Sequence, residues 1–204
     1  MAGKALFVCA PGAGGHKDDR AMLRFAAGLE PRGFEVVRFN FPYMEKGSKR
    51  IDPLPVLKAF FREFALARKE EGRRLVIGGR SMGGRIASLL AAEGFPCEGL
   101  LLAAYPLHPA GKPGTLRDAH LPAIRCPVLC VNGTRDALCT RDLMVETLKK
   151  VPAPWTMHWV EGADHSFRVL KSSGRTEADV DAEIGAAAGA WLEKSVPDPD
   201  SQRP

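Results

Sequence analysis

The stretch Leu75-Val-Ile-Gly-Gly-Arg-Ser-Met-Gly-Gly84 puts the tightest constraint on how this chain can fold. Leu75, Val76 and Ile77 read as the end of a short buried strand, and Gly83 to Leu90 as the opening of a helix. Between them Gly79-Arg80-Ser81-Met82-Gly83 has the form G-x-S-x-G. A turn from strand straight into helix that projects the Ser81 hydroxyl must be very tight. Ser81 then takes a strained backbone angle, and the residues two before and two after it press against neighbouring backbone. Only glycine, which has no Cβ, fits at those two places. The helix that follows adds free N–H groups and the positive end of its dipole beside the hydroxyl. The pentapeptide alone also fits an incidental turn. Its position after an apolar run and before an apolar-periodic helix makes Ser81 a candidate nucleophile.

That strand is one of six similar runs: Ala5–Ala10, Glu35–Phe39, Leu75–Gly78, Gly99–Ala104, Pro127–Asn132 and Thr156–Val160. Each is short, apolar and bounded by turn residues. Helical patterns lie between most of them, over Asp19–Leu29, Val56–Lys69, Gly83–Ala92 and Arg141–Lys149, with a last helix over Glu177–Glu193. Continuous apolar strands alternating with helices predict an α/β fold: a doubly wound, mostly parallel six-stranded sheet with helices on both faces. The chain's 204 residues suit one domain, expected over residues 1–194. Ser195 to Pro204, rich in Pro, Asp and Ser, reads as a disordered tail. Between Ala104 and Pro127 there is room for at most one short helix, over Leu116–Ile124, so a cap is expected to be minimal or absent.

Composition narrows the function. Apolar residues make up 45% and charged residues 26%, an ordinary globular balance. The net charge of +5 is scattered, apart from a small cluster at Lys46, Lys49 and Arg50. No basic run is interleaved with aromatics, so nucleic acid is not an expected partner. No segment is long enough to span a membrane. The apolar run Ala5–Ala10 is short for a leader peptide, so a cytoplasmic protein is expected. The five cysteines (Cys9, Cys97, Cys126, Cys130, Cys139) form no C-x-x-C, and the five histidines have no zinc-ligand spacing, so no metal site is expected. The glycine-rich loop Pro11-Gly-Ala-Gly-Gly15 fails as a dinucleotide fingerprint, because Lys17 stands where the third glycine belongs and Asn40, not an acid, ends strand two. No cofactor is expected. The loop suits an oxyanion site instead, with the Ala13 N–H meeting the N–H of Met82 on a developing negative oxygen.

A serine hydroxyl needs a base, and the base an acid to orient it. Asn132-Gly-Thr-Arg-Asp136 follows the fifth strand, so Asp136 reaches the crevice at the strand ends. Glu161-Gly-Ala-Asp-His165 follows the sixth, and His165 can fold back over the same crevice. Taken alone, Asp136 could instead cap the helix near Thr140 with Arg135 as its partner, and His165 could be a surface histidine. Asp164 is a rival acid, but adjacent side chains generally diverge, which favours Asp136. Gly12, Gly14 and His16 of the first loop, with Tyr105, Leu107 and Met82, are the candidate substrate contacts. The basic cluster could draw anionic substrates or be a solvated loop.

The order Ser81, Asp136, His165 is that of the α/β-hydrolases, and the chain resembles them. More narrowly, it resembles the small, nearly capless group that includes the testis-expressed 30 and KANSL3-type proteins, and it is more distantly similar to dienelactone hydrolases. The resemblance is carried by Pro11–Gly15, Arg38–Tyr43, Gly79–Gly84, Tyr105–Pro109, Leu116–Leu121, Asn132–Asp136 and Gly162–Phe167, which cover nearly the whole chain. Two positions depart from it. Pro11 precedes Gly12 where the group usually has His-Gly, and Ser81 stands where dienelactone hydrolases carry cysteine. The resemblance implies a serine hydrolase acting on small acyl esters or thioesters. The alternative is a hydrolase-like binding or scaffold protein.

Overall fold

In the computed structural model, which describes residues 3–197, β1 (Ala5–Ala10) lies inside the sheet, one strand in from its edge, with all six side chains buried. It is joined by β2 (Phe34–Arg38), β3 (Leu75–Arg80), β4 (Gly99–Ala103), β5 (Val128–Gly133) and β6 (Trp155–Val160). The sheet has the order β2-β1-β3-β4-β5-β6, and every pair is parallel. The helices are α1 (Arg20–Leu29), α2 (Pro42–Glu45), α3 (Leu54–Leu66), α4 (Met82–Ala92), α5 (Arg141–Leu148) and α6 (Glu177–Ser195).

Alternation along the strands builds two core layers. Leu6, Val8 and Ala10 of β1 pack with Leu57 and Phe61 of α3, Ile86 and Leu90 of α4, and Met144 of α5. Ala5, Phe7 and Cys9 pack on the other face with Met22 and Phe25 of α1 and Val180, Ile184 and Trp191 of α6. Beyond β2, Phe39 lies 4.7 to 5.6 Å, centroid to centroid, from Phe41, Phe60, Phe61 and Phe64. Each such ring pair contributes about 0.5–1.5 kcal/mol beyond area burial, and together they seal that edge.

The winding reverses at β1. The chain leaves β1 for β2 on one side, then returns to β3 on the other, so the loops after β1 and β3 diverge and open a crevice at their carboxyl ends.

The elements differ from expectation at their margins. β3 continues to Arg80, because Arg80 still pairs with Ala103 of β4. The short α2 has no apolar period to announce it, and Pro42 starts it. The helix expected over Leu116–Ile124 shrinks to a 3-10 turn, Leu121–Ala123, with Pro122 inside it. The segment after β4 forms no lid. Tyr105, Leu107, Leu121 and Ile124 are fully buried, and the Ser88 hydroxyl on α4 sits 2.8 Å from His120 Nε2, so the segment lies down against α4. The tail expected from Ser195 does not begin there. Ser195 closes α6, and Val196 is buried with its carbonyl accepting Arg74 Nη1 at 3.0 Å. The rest of that expected tail, 198–204, lies outside the described residues. No helix among the described residues is long and apolar enough to cross a membrane.

Candidate active site

β3 ends at Arg80 and α4 begins at Met82, so Ser81 alone makes the turn, at φ 47° and ψ −115°. Holding a non-glycine residue there costs on the order of 1–3 kcal/mol. The turn is held from both sides, by the Ser81 N–H to the Ala103 carbonyl at 2.8 Å and by the Ser81 carbonyl from the Arg85 N–H at 3.0 Å. The flanking glycines have the reason the sequence suggests. A Cβ on Gly79 would stand 2.1 Å from the Ala10 carbonyl oxygen, and one on Gly83 would stand 2.5 Å from the same atom.

His165 comes from the loop after β6, which turns around Asp164. One Asp164 oxygen, Oδ1, accepts the N–H groups of Ser166 at 2.8 Å and Arg168 at 2.9 Å. Folded this way, the loop sets His165 Nε2 3.0 Å from Ser81 Oγ. His165 Nδ1 lies 2.9 Å from both carboxylate oxygens of Asp136. Asp136 is buried, and its oxygens also accept the Leu138 N–H at 2.8 Å and Asn132 Nδ2 at 3.2 Å. Asn132 is itself clamped by the Tyr105 backbone, accepting its N–H and donating to its carbonyl, each at 3.1 Å. The structure therefore brings Ser81, His165 and Asp136 together and leaves Asp164 as the turn's internal acceptor. Thr140, not Asp136, stands at the N-cap position of α5, and Arg135 donates to the Gly162 carbonyl.

The loop after β1 passes close to Ser81: a Cβ on Gly12 would lie 3.6 Å from the Ser81 Cβ. Most of its N–H groups are engaged. Gly14 donates to the Tyr43 hydroxyl at 3.0 Å, Gly15 to the Gly12 carbonyl at 3.0 Å, His16 to Asp19 at 2.7 Å and Lys17 to Asn40 at 2.6 Å. The N–H groups of Ala13 and Met82 have no protein partner among the described residues. Of the buried thiols, Cys9 on the neighbouring strand is pushed up to about 12 by burial, so it offers no thiolate near neutral pH.

A family model described as an alpha/beta hydrolase domain matches residues 3–193. The chain belongs to this α/β-hydrolase family. Solved structures share the fold. A dienelactone hydrolase from Anabaena variabilis is 16% identical over 95% of this chain and 88% of that one, with a TM-score of 0.72. An α/β serine hydrolase without a lid from Xanthomonas campestris is 21% identical over 94% of this chain and 83% of that one, with a TM-score of 0.68. An α/β serine hydrolase homologue from Coxiella burnetii is 20% identical over 91% of this chain and 86% of that one, also with a TM-score of 0.68.

In this α/β-hydrolase domain the cleft over Ser81 has a volume of about 390 Å³, and Gly12, Ala13, Met22, Arg80, Leu138 and His165 are among its walls. Several expected contacts lie elsewhere. Tyr105 and Leu107 are fully buried in the α3–α5 core layer, and the Tyr105 hydroxyl donates to the Arg117 carbonyl at 2.9 Å. The Met82 side chain packs on that same layer. Gly14 is turned to Tyr43, and His16 Nε2 lies 2.7 Å from Asn40 Nδ2, so both fasten the loop. Lys46, Lys49 and Arg50 are exposed beyond α2 and do not line the cleft. Leu138, Met22 and Arg80 are wall residues that sequence reading missed. Only Arg80 carried a signal, its place inside the G-x-S-x-G stretch.

Proposed function

We propose that this α/β-hydrolase domain is a serine hydrolase that cleaves small esters or thioesters through an acyl-enzyme. The observation that carries the reading is the unbroken hydrogen-bonded chain from Ser81 through His165 to a buried Asp136. In the first half-reaction Ser81 Oγ attacks the acyl carbonyl while His165 Nε2 takes its proton. Asp136 holds His165 Nδ1–H, fixing the tautomer, and stabilises the imidazolium that forms. The tetrahedral oxygen takes its negative charge between the Ala13 and Met82 N–H groups. A single donor of this kind is worth on the order of 10²–10³ in rate. Collapse expels the alcohol or thiol, which takes the proton from His165. A water activated by the same imidazole then cleaves the acyl-enzyme and restores Ser81. The residues suffice without a cofactor.

The same reading places the chain with the small, nearly capless α/β-hydrolases, acting on a small acyl substrate in the cytoplasm. It is tested with a fluorophosphonate probe, which labels only an activated serine. Wild-type protein is expected to form one covalent adduct at Ser81, and Ser81→Ala none, with ester turnover falling about 10³-fold or more. No adduct and no turnover from folded wild-type protein would return the chain to the scaffold class.

A further inference from the structure

Arg80 directly precedes Ser81, yet no step of the proposed reaction uses it. It is the last residue of β3, and alternation sends its side chain to the face that carries Val76, toward α1 and α6. There its guanidinium carbon lies 5.7 Å from the centroid of the Phe167 ring. Arg80 lines the Ser81 cleft and also a smaller hollow beside it, whose other walls include Phe25, Phe167, Ile184 and the paired Arg24 and Asp181.

Among the described residues the charge on this side chain has no ion-pair partner. A guanidinium carries five N–H donors and stays protonated in proteins. Among the described residues Arg80 makes one hydrogen bond, a long one of 3.5 Å from Nη2 to the His165 carbonyl. Its Nε is buried without a partner. Among the described residues no carboxylate lies within 4.0 Å of the group. Asp164 and Asp181 attract the group from beyond ion-pair distance, but the acids nearby make their hydrogen bonds elsewhere. Asp181 accepts Arg24 Nε at 2.7 Å, Glu177 pairs with Arg20 and Arg24, and Asp164 Oδ1 holds its own turn. The cleft's own carboxylate, Asp19, accepts the His16 N–H at 2.7 Å and leans over the loop at Gly15. Burial lowers Arg80 below the ordinary arginine value, which is the mark of a desolvated cation. Such a charge is costly unless an anion meets it. The wall it occupies is that of the reactive cleft, so the anion can arrive with the substrate.

We propose that Arg80 is a carboxylate-binding subsite of the Ser81 cleft, and that the preferred substrates are esters or thioesters whose acyl chain ends in a second carboxylate. This rests on the serine-hydrolase reading and narrows it to a substrate class. The planar fork of a guanidinium takes a carboxylate by two parallel bonds, which satisfies donors the protein leaves open. A structural role is the competing possibility, with Arg80 merely steadying the His165 loop through the His165 carbonyl and the Phe167 ring.

The experiment compares monoethyl glutarate with ethyl pentanoate, esters of equal acyl length, by acid release from the full chain. Fluorophosphonate labelling of Ser81 on the same preparation checks the underlying hydrolase reading. Wild-type protein should favour the glutarate monoester in kcat/KM by about tenfold or more, as expected for a charged hydrogen-bonded pair. Arg80→Met should lower that ratio by about tenfold, chiefly through KM, and Arg80→Lys should restore part of it. The ratio is the readout because a loop-steadying residue would slow both esters alike and leave it unmoved. If Arg80→Met does not fold, the wild-type protein still decides: free glutarate should slow Ser81 labelling at concentrations where pentanoate does not. Labelling without glutarate preference or protection overturns the subsite and leaves the hydrolase reading standing. No labelling and no hydrolysis of either ester overturns both.

Discussion

Replacing Asp136 with asparagine tests the site where its geometry is most demanding. One carboxylate oxygen accepts the Leu138 N–H at 2.8 Å, and the other accepts Asn132 Nδ2 at 3.2 Å. Asn132 cannot rotate to help, because the Tyr105 N–H and carbonyl hold its amide in one orientation. The new amide nitrogen therefore meets a donor whichever way residue 136 turns. A buried donor left without an acceptor costs about 1–3 kcal/mol. A domain of this size loses about 2–4 °C of Tm per kcal/mol, so Asp136→Asn should melt roughly 2–12 °C lower. The chemical effect is larger. With its nitrogen facing His165, the amide forces Nδ1 to accept and Nε2 to carry the proton. An N–H then points at Ser81 Oγ in place of a lone pair. Turnover should fall by about 10⁴, as for this change in other triads.

Asp164→Asn is the matched control. Both N–H groups that Asp164 accepts go to Oδ1, which asparagine keeps. Its stability should stay within about 0.5 kcal/mol, and its turnover within a few-fold of wild type. The assay is ester hydrolysis and thermal melting on the same preparations. An Asp136→Asn protein within about tenfold of wild-type turnover, or equal losses in the two variants, refutes the assignment.

Three further outcomes follow from the structure. Gly83→Ala would add about 1 kcal/mol in an ordinary helix, but here the new Cβ would stand 2.5 Å from the Ala10 and 2.6 Å from the Pro11 carbonyl oxygen. It should destabilise by about 1–3 kcal/mol and slow fluorophosphonate labelling, and a stabilised, fully reactive variant would contradict the packing argument. An open cleft without a lid should make a nitrophenyl ester series peak at about two to four acyl carbons with no interfacial jump, and a maximum at about eight or beyond would contradict it. His120 is held low, from 6.5 to about 4, first by burial and then by nearby Arg85. The unfolded chain takes up a proton as pH falls below 6.5 while the folded one does not until about 4. The stability His120 provides is therefore whole above pH 6.5 and is lost across that window, and His120→Gln should flatten the urea midpoint against pH there. An unchanged slope would count against it.

Much of this molecule is written locally. The six apolar runs and the helices between them mark the strands and their covering layers, because a parallel strand buried on both faces must be apolar throughout. Gly79 and Gly83 announce the turn at Ser81, because no Cβ fits against the end of β1. Asp136 and His165 follow strands five and six, and in a parallel sheet every strand ends at the same edge. Spacing along the chain could not decide what each side chain meets there. Adjacency to His165 already disfavoured Asp164 in the sequence, but only the packed structure shows what it does instead, which is to hold its own loop through Oδ1. Tyr105 and Leu107 follow a strand end as wall residues would, yet the chain turns at Ala104, with φ 52°, and lays them into the core. Tyr43 fastens Gly14 from 29 residues away. Arg80 has no ion-pair partner among the described residues because the α6 acids beside it pair with Arg20 and Arg24 of α1 instead. Periodicity records which face of an element is dry, whereas partnership between distant polar groups is decided when the elements pack.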